Sequence, residues 1–391
     1  MSDPGLPSTL TRQSRRLRRK LARGPIGAAC NRLLAGSGAR DLILVCDGRV
    51  YTSEQQFAPI YRHAARLARQ TGLLVRSLPL DVLRSQGQGA LADGAIVGLM
   101  LPYDMEASEE PALIDQVIRP GQARGQRFIL FDGDDDLGVL WRGVLGAVDL
   151  CVKKHALADR NAYGRRTIGK SNLTDHVARA FGWSFADNII PEAGGIGPEA
   201  AAKIRIGWNI ALDDKIVDLA RDMPEPPQGG RSTDILCRAS VGPDVWTYPL
   251  RNGAVEAIEA LKGRFRVHAP TDRVSQAEYY QEMLSSRLSL SPFGFGEICW
   301  RDFESILCGC LLMKPDMGHV ETSPDLFVPG ETYVPVAWDY SDLGEQAAAT
   351  LADEGRRRAM ADEARARLLA QLSADWFMDR FRGQVLGPLD P

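Results

Sequence analysis

The chain has 391 residues, 45% of them hydrophobic and 25% charged, with a formal net charge of −3. That balance suits a globular chain of two or three domains and excludes the strongly basic surface of a nucleic-acid binder. No apolar run approaches the roughly 18 residues of a membrane-spanning helix, and no apolar stretch of a signal peptide follows the basic N-terminus.

Residues 1–40 form an arm. Basic residues crowd the stretch from Arg12 to Arg23, and Leu10, Leu17 and Leu21 are spaced for one helix face. Two readings stand: a basic amphipathic helix lying on an anionic membrane face, or a solvated arm. The seven cysteines form no C-x-x-C pair and read as reduced core residues. The expected location is therefore the cytoplasm, with peripheral contact to the inner membrane face through the arm.

From residue 41 the pattern alternates strand and helix. Residues 41–47 (DLILVCD) are a continuous apolar run, as in a parallel strand covered on both sides. Residues 55–70 have helical periodicity, and further strands are expected at 73–80, 95–102, 127–132 and 148–153. Alternating βα units specify an open parallel sheet of about five strands, a Rossmann-like domain over 41–222. Residues 175–222 carry no clear period. The linker is 223–230 (MPEPPQGG), whose prolines and glycines continue neither helix nor sheet.

Residues 231–372 repeat the architecture without repeating the sequence. Strands are expected at 234–240, 265–269, 288–292, 310–314 and 333–337, with helices at 254–262 and 276–285. A long helix over 341–372 should break near 353–355. The last segment, 373–391, is amphipathic and aromatic, with Trp376, Phe377 and Phe381. The fold class is α/β, two Rossmann-like domains facing across a cleft.

The most informative stretch is 287–316. It reads as a strand, a glycine turn at Gly294-Phe295-Gly296, a helix from about 297 to 308, and a second strand. At 100° per residue, Trp300, Phe303, Ile306 and Leu307 share one arc, while Arg301 and Glu304 form a separate stripe. A helix start beside a glycine turn, at the carboxyl end of a strand, suits a phosphate. An Arg there shares the charge, and a carboxylate one turn on accepts from sugar hydroxyls. The bland reading is a surface ion pair between Arg301 and Glu304. Gly294-x-Gly296-x-x-Cys299 lacks the third glycine of a dinucleotide fingerprint, which places a nicotinamide oxidoreductase last among the readings.

The pattern Ser291-Pro292…Gly296…Arg301-x-x-Glu304…Gly309-Cys310 resembles the donor segment of two-domain (GT-B) glycosyltransferases of the exostosin-like and group 1 types. Lys314-Pro315-Asp316-Met317-x-His319 and Glu331-Thr332-Tyr333-Val334-Pro335 continue the likeness, which covers about 279–343. The resemblance implies a nucleotide-sugar donor and a saccharide or lipid-linked acceptor, in surface polysaccharide or glycolipid assembly. It implies that Arg301 and Glu304 face the donor's phosphates and ribose, that Lys314 and His319 open onto the same edge, and that the final helix crosses back to the first domain. Group 1 members carry two glutamates eight positions apart. Here Gly296 stands in the place of the first, with Glu297 beside it. That departure keeps a catalytically silent sugar-nucleotide binder or scaffold as the alternative.

Sugar transfer breaks the bond from the anomeric carbon to phosphate, so negative charge grows on the leaving diphosphate. Arg238, Arg251 and His268, at the carboxyl ends of the first strands of the second domain, are further donor contacts. An acceptor hydroxyl must lose a proton. The acidic tract Asp132-Gly133-Asp134-Asp135-Asp136 follows a first-domain strand, and three readings stand for it. It is a base or acceptor contact through Asp132 or Asp134, a divalent metal holder, or a helix N-cap. No cofactor is required beyond the donor as substrate, and the metal is not the preferred reading. Asp47-Gly48-Arg49 is a weaker candidate at the same edge.

Overall fold

The computed structural model describes residues 25–48, 55–185, 192–227, 229–243 and 245–389. The basic run from Arg12 to Arg23 and Arg49 lie outside the described residues.

The first sheet contains β1 (Arg40–Cys46), β2 (Leu73–Pro79), β3 (Ile96–Leu99), β4 (Arg127–Asp132) and β5 (Leu150–Lys153). After β5 the chain forms three short strands, β6 (His155–Leu157), β7 (Thr167–Ile168) and β8 (Glu192–Ala193), and then β9 (Ile204–Ile206). The sheet order is β2-β1-β3-β4-β5-β9, all parallel. It has one strand more than the five expected, because β9 is only three residues long and falls in the stretch without a period. Side chains of β1 alternate as a strand covered on both faces requires. Leu42, Leu44 and Cys46 enter one core, and Ile43 and Val45 the other.

The second sheet contains β10 (Thr233–Leu236), β11 (Val267–His268), β12 (Ser286–Leu290), β13 (Leu311–Pro315) and β15 (Tyr333–Val336), with β14 (Val320–Thr322) outside it. Its order is β11-β10-β12-β13-β15, again parallel. Numbered within each half, the first five strands of both sheets run 2-1-3-4-5.

Eight helices bear on the site or the packing: α1 (Asn172–Phe181), α2 (Asp214–Asp222), α3 (Tyr248–Glu259), α4 (Gln276–Leu284), α5 (Trp300–Leu307), α6 (Leu343–Ala352), α7 (Glu354–Gln371) and α8 (Ala374–Phe381). The expected long helix is α6 and α7, broken at Asp353, whose side chain caps α7. One apolar core runs through both halves, from Phe57, Phe131 and Trp208 to Phe303, Ile306 and Phe377.

Two seams are among the contacts that join the halves. β6 pairs antiparallel with β14, Val320 opposite Leu157 and Thr322 opposite His155. Asn209 extends this seam, bonding Thr322 Oγ1 at 3.0 Å and the Pro324 carbonyl at 2.8 Å. On the other seam α8 lies against the end of the first sheet. Arg380 donates to the carbonyls of Gly207 (2.9 Å) and Ile206 (2.6 Å), and Phe377 and Phe381 pack on Trp208.

Candidate active site

In both sheets the strand order reverses between the first and third strands, and such a reversal opens a crevice at the carboxyl ends. In the second sheet that point lies between β10 and β12. Arg251 on α3 reaches it from the β10 side, and Arg301 on α5 from the β12 side. Arg251 donates to the Ser240 carbonyl at 3.1 Å, and its guanidinium lies 5.6 Å from the centre of the Phe295 ring. Gly294 lets it in, because a Cβ there would stand 2.8 Å from Arg251 Nη2. Arg301 makes only long contacts, 3.4 Å to Ser291 Oγ and 3.8 Å to Cys299 Sγ, and its buried Nε has no partner among the described residues. Neither arginine has an ion pair with a carboxylate among the described residues. Burial lowers the Arg251 pKa, and the like charge of Arg301 lowers it further. Two guanidinium groups held close, neither in a direct ion pair and with Asp302 acting on Arg301 only through space, form a site for a dianion such as a diphosphate.

The remaining donor-side candidates are placed differently from expectation. Helix α5 begins at Trp300, three residues later than the glycine turn suggested. Its N-terminus is closed by Asp302, which accepts from Cys299 N (2.9 Å) and Ser291 Oγ (2.5 Å). Lys314 does not open onto the cleft: it is fully buried, 3.1 Å from Asp302 Oδ1 and 3.3 Å from the Ser291 carbonyl. Glu304 keeps the helix face it shares with Arg301, with Tyr279 close to both, but forms no ion pair with that arginine. It is buried against α2 and α4, bonded to Lys215 Nζ (2.8 Å), Tyr279 Oη (2.9 Å) and Tyr280 Oη (3.2 Å). The apolar arc alone did not reveal this, because α5 is buried on nearly every side. Arg238 forks onto Glu282 with two 2.6 Å bonds, and His268 meets the same carboxylate at 3.1 Å. Both are engaged with each other's partner rather than with Arg301.

Gly296 also differs. Its Cβ would fall 1.5 Å from the Asp135 carbonyl oxygen, so the turn admits the first-domain main chain. Glu297, next to it, is fully buried. Its Oε1 accepts from Asn172 Nδ2 at 3.3 Å, and His319 Nε2 lies at 3.7 Å. His155 Nε2 is 3.9 Å from Glu297 Oε2, but burial, with Lys154 and Lys153 nearby, drives the His155 pKa well down and leaves the ring neutral. The sequence reading passed over His155.

The acidic tract at the end of β4 is almost wholly neutralised. Asp132 pairs with buried Lys153 at 2.7 Å, Asp134 with Lys170 at 2.6 Å and Asp135 with Lys154 at 2.9 Å. Asp136 shares Lys170 at 3.3 Å and is pushed up to about 7, by burial above all and by the neighbouring Asp134 and Glu297 charges, against the pull of Lys170. Burial also works to raise Asp134, but Lys170 outweighs it and the pKa falls. No helix follows the tract, so it is not an N-cap. Among the described residues no group of three or more His, Cys, Asp or Glu is arranged to hold a metal ion, and the lysines occupy the carboxylates a cation would need. Lys153, Lys154 and Lys170 were not singled out in the sequence. Their signal is a lysine on β5 directly opposite Asp132 in register.

Beside the tract lies a cavity of about 600 Å³. Its first-domain walls include Met100, Leu101, Tyr103, Phe131 and Trp141, and Phe185, Trp246 and Phe295 close it from the other side.

Two parallel sheets of the same strand order thus meet across a cleft, with a basic crevice in the second. Residues 251–383 match the model of the glycosyl transferase-like family, a segment that holds Arg251, Arg301 and α8. Among solved structures the chain is similar to a glycosyltransferase from Rickettsia africae, at 9% identity and a TM-score of 0.47 over 90% of this chain and 99% of that one. It is also similar to TarM of S. aureus, at 8% identity and a TM-score of 0.41 over 79% of this chain, and to the pneumococcal O-GlcNAc transferase GtfA, at 12% and 0.41 over 79%. The chain spans 58% of the TarM chain and 60% of the GtfA chain. No curated protein matches the sequence. No described helix is long and apolar enough to cross a membrane.

Proposed function

We propose that this protein transfers a sugar from a nucleoside diphosphate sugar to a hydroxyl acceptor, in surface polysaccharide or glycolipid assembly. One observation carries the donor assignment: Arg251 and Arg301 stand together at the β10/β12 crevice, neither in a direct ion pair with a carboxylate among the described residues. As the bond from the anomeric carbon to the diphosphate lengthens, the two guanidinium groups take up the growing negative charge. They are preorganised, Arg251 by the Ser240 carbonyl and the Phe295 ring, Arg301 by Ser291 and Cys299.

The acceptor proton requires a base at the cavity. Asp132 and Asp134 are poor choices, since each is held in a buried lysine pair. Asp135 lines the same cavity, its side chain is 45% exposed, and only its Oδ1 is bonded to Lys154. In this reading Asp135 takes the proton. His319, at the contact between the halves and 3.7 Å from buried Glu297, faces the donor sugar from the second domain. A binder without turnover is the second reading, favoured because Glu304 is fully engaged by Lys215, Tyr279 and Tyr280.

Calorimetry with UDP, GDP, CMP and ADP tests the proposal. One nucleoside diphosphate should bind with micromolar affinity and lose at least tenfold in Arg301→Ala. Equal binding of that ligand by wild type and by Arg301→Ala and Arg251→Ala sinks the donor site. Binding without release of diphosphate from any donor sugar, in the presence of acceptors, favours the silent binder.

A further inference from the structure

The 600 Å³ cavity has the volume of a small-molecule site, and its position assigns it a role. Phe295 is 47% exposed and stands between two environments. One side of the residue meets the Arg251 guanidinium, 5.6 Å away, and the other meets Trp246, with ring centroids 6.0 Å apart. Trp246 in turn packs on Phe185 at 6.0 Å. This aromatic row is a partition with the diphosphate crevice on one side and the cavity on the other. What fills the cavity is therefore the acceptor, given the donor assignment proposed above, on which this inference rests.

The lining says what kind of acceptor. The charged groups sit together, where Asp132, Asp134 and Asp135 each have a lysine. The walls offer Met100, Leu101, Leu140 and Trp141, and the partition adds three aromatic rings. A sugar chain needs hydrogen-bond partners along its whole length. Here few other side chains of the lining supply one, chiefly Tyr103 and the indole of Trp141, since the Thr174 hydroxyl is already bonded to Ile168 and Ser171. Trp141 Nε1 is buried and unpartnered among the described residues.

We infer that the acceptor is amphipathic: a hydroxyl-bearing head resting on the charged groups, attached to an apolar body that fills the aromatic cavity. The head hydroxyl gives its proton to Asp135. Its oxygen forms the new bond to the anomeric carbon, and the bond from that carbon to the diphosphate breaks with its electron pair leaving on the nucleotide.

The test compares hexyl and methyl glucosides, which share a head and differ only in the apolar body. Binding to the full chain is followed by quenching of tryptophan fluorescence, and UDP binding by calorimetry on the same samples. Each methylene that enters the cavity should tighten binding roughly fourfold, so the hexyl compound should bind at least tenfold more tightly than the methyl. Leu101→Asp should abolish that preference and leave UDP binding unchanged, which also reports that the variant is folded. Tyr103→Ala, at an exposed position, should weaken the hexyl compound twofold to fivefold. Equal affinities for the two glucosides, no quenching by either, or a preference that survives Leu101→Asp, each overturns the inference. Where UDP still binds, the donor reading survives that failure. Hexyl preference with no nucleotide binding instead keeps the apolar site and removes the donor reading.

Discussion

The two crevices of this molecule have the same strand order and opposite charge management. At the end of β4 three aspartates are each given a lysine, and the space beside them is apolar. At the ends of β10 and β12 two arginines make no direct ion pair with a carboxylate among the described residues, and Arg301 Nε has no hydrogen-bond partner among them. Topology places the second crevice at the β10/β12 reversal, whereas the first-sheet cavity lies beyond its own reversal, at the ends of β3 and β4. What each crevice receives is decided by whether its charges are already paired. Charged residues close to a cleft are therefore weak pointers to a ligand until their partners are known.

Removing the unpaired charge should have the largest effect. Arg301→Ala should lower sugar transfer about 10²- to 10³-fold, the range for losing a preorganised donor at a developing anion. Its melting temperature should stay close to wild type, because no direct ion pair is broken and Asp302 keeps Lys314. Arg301→Lys should recover little, since an ammonium does not reproduce the guanidinium fork. Steady-state kinetics with the donor found by calorimetry decides this, and wild-type turnover in Arg301→Ala would erase the contrast between the crevices.

Next comes the contact between them. Gly296→Ala forces a Cβ into the Asp135 main chain, and overpacking of that kind costs about 3 kcal/mol. The loss should appear in urea unfolding together with weakened transfer. Glu304→Ala, by contrast, should act on stability before activity. It strands two buried tyrosine hydroxyls, which is expected to cost about 2 to 3 kcal/mol. Glu304→Gln should restore much of this. An Ala variant of wild-type stability with no transfer would return Glu304 to the donor.

The smallest effect sharpens the first crevice. Asp136 is pushed up to about 7 from an ordinary 3.8. An acid whose pKa rises on folding favours the folded state while it is protonated. That contribution is complete below about 3.8 and fades as the pH climbs to about 7. Asp136→Asn should thus match wild type near pH 4 and exceed it in thermal stability near pH 8. A difference that is constant across that range would show that Asp136 does not hold the proton.

Most of the architecture was legible. Strand β4 begins and ends where its apolar run does, and β1, β2 and β15 fall within a residue of expectation at each end, because parallel strands covered on both faces are continuous apolar runs. Strand β9 was not legible, being three residues whose pairing with β5 is purely tertiary. The site was half legible. Arg251 and Arg301 were picked out by type and position, and the structure brings them together. Glu304, Lys314, Arg238 and His268 were picked out by the same signals, and each proves to have a protein partner from a distant segment. Lys215 on α2 is 89 residues from Glu304, and no local pattern announces such a pairing.

The pairing of β6 with β14 has a consequence for how this protein can be taken apart. Each of these short strands uses the other half as its neighbour, and α8 covers the end of a sheet to which its own half does not belong. A cut at the linker would leave two fragments, each with a bare strand edge and an uncovered aromatic face. The halves look like modules on a sequence map, yet neither is a self-sufficient unit for expression. Mixed in equal amounts, they should reassociate through the same surfaces, as a dovetail closes.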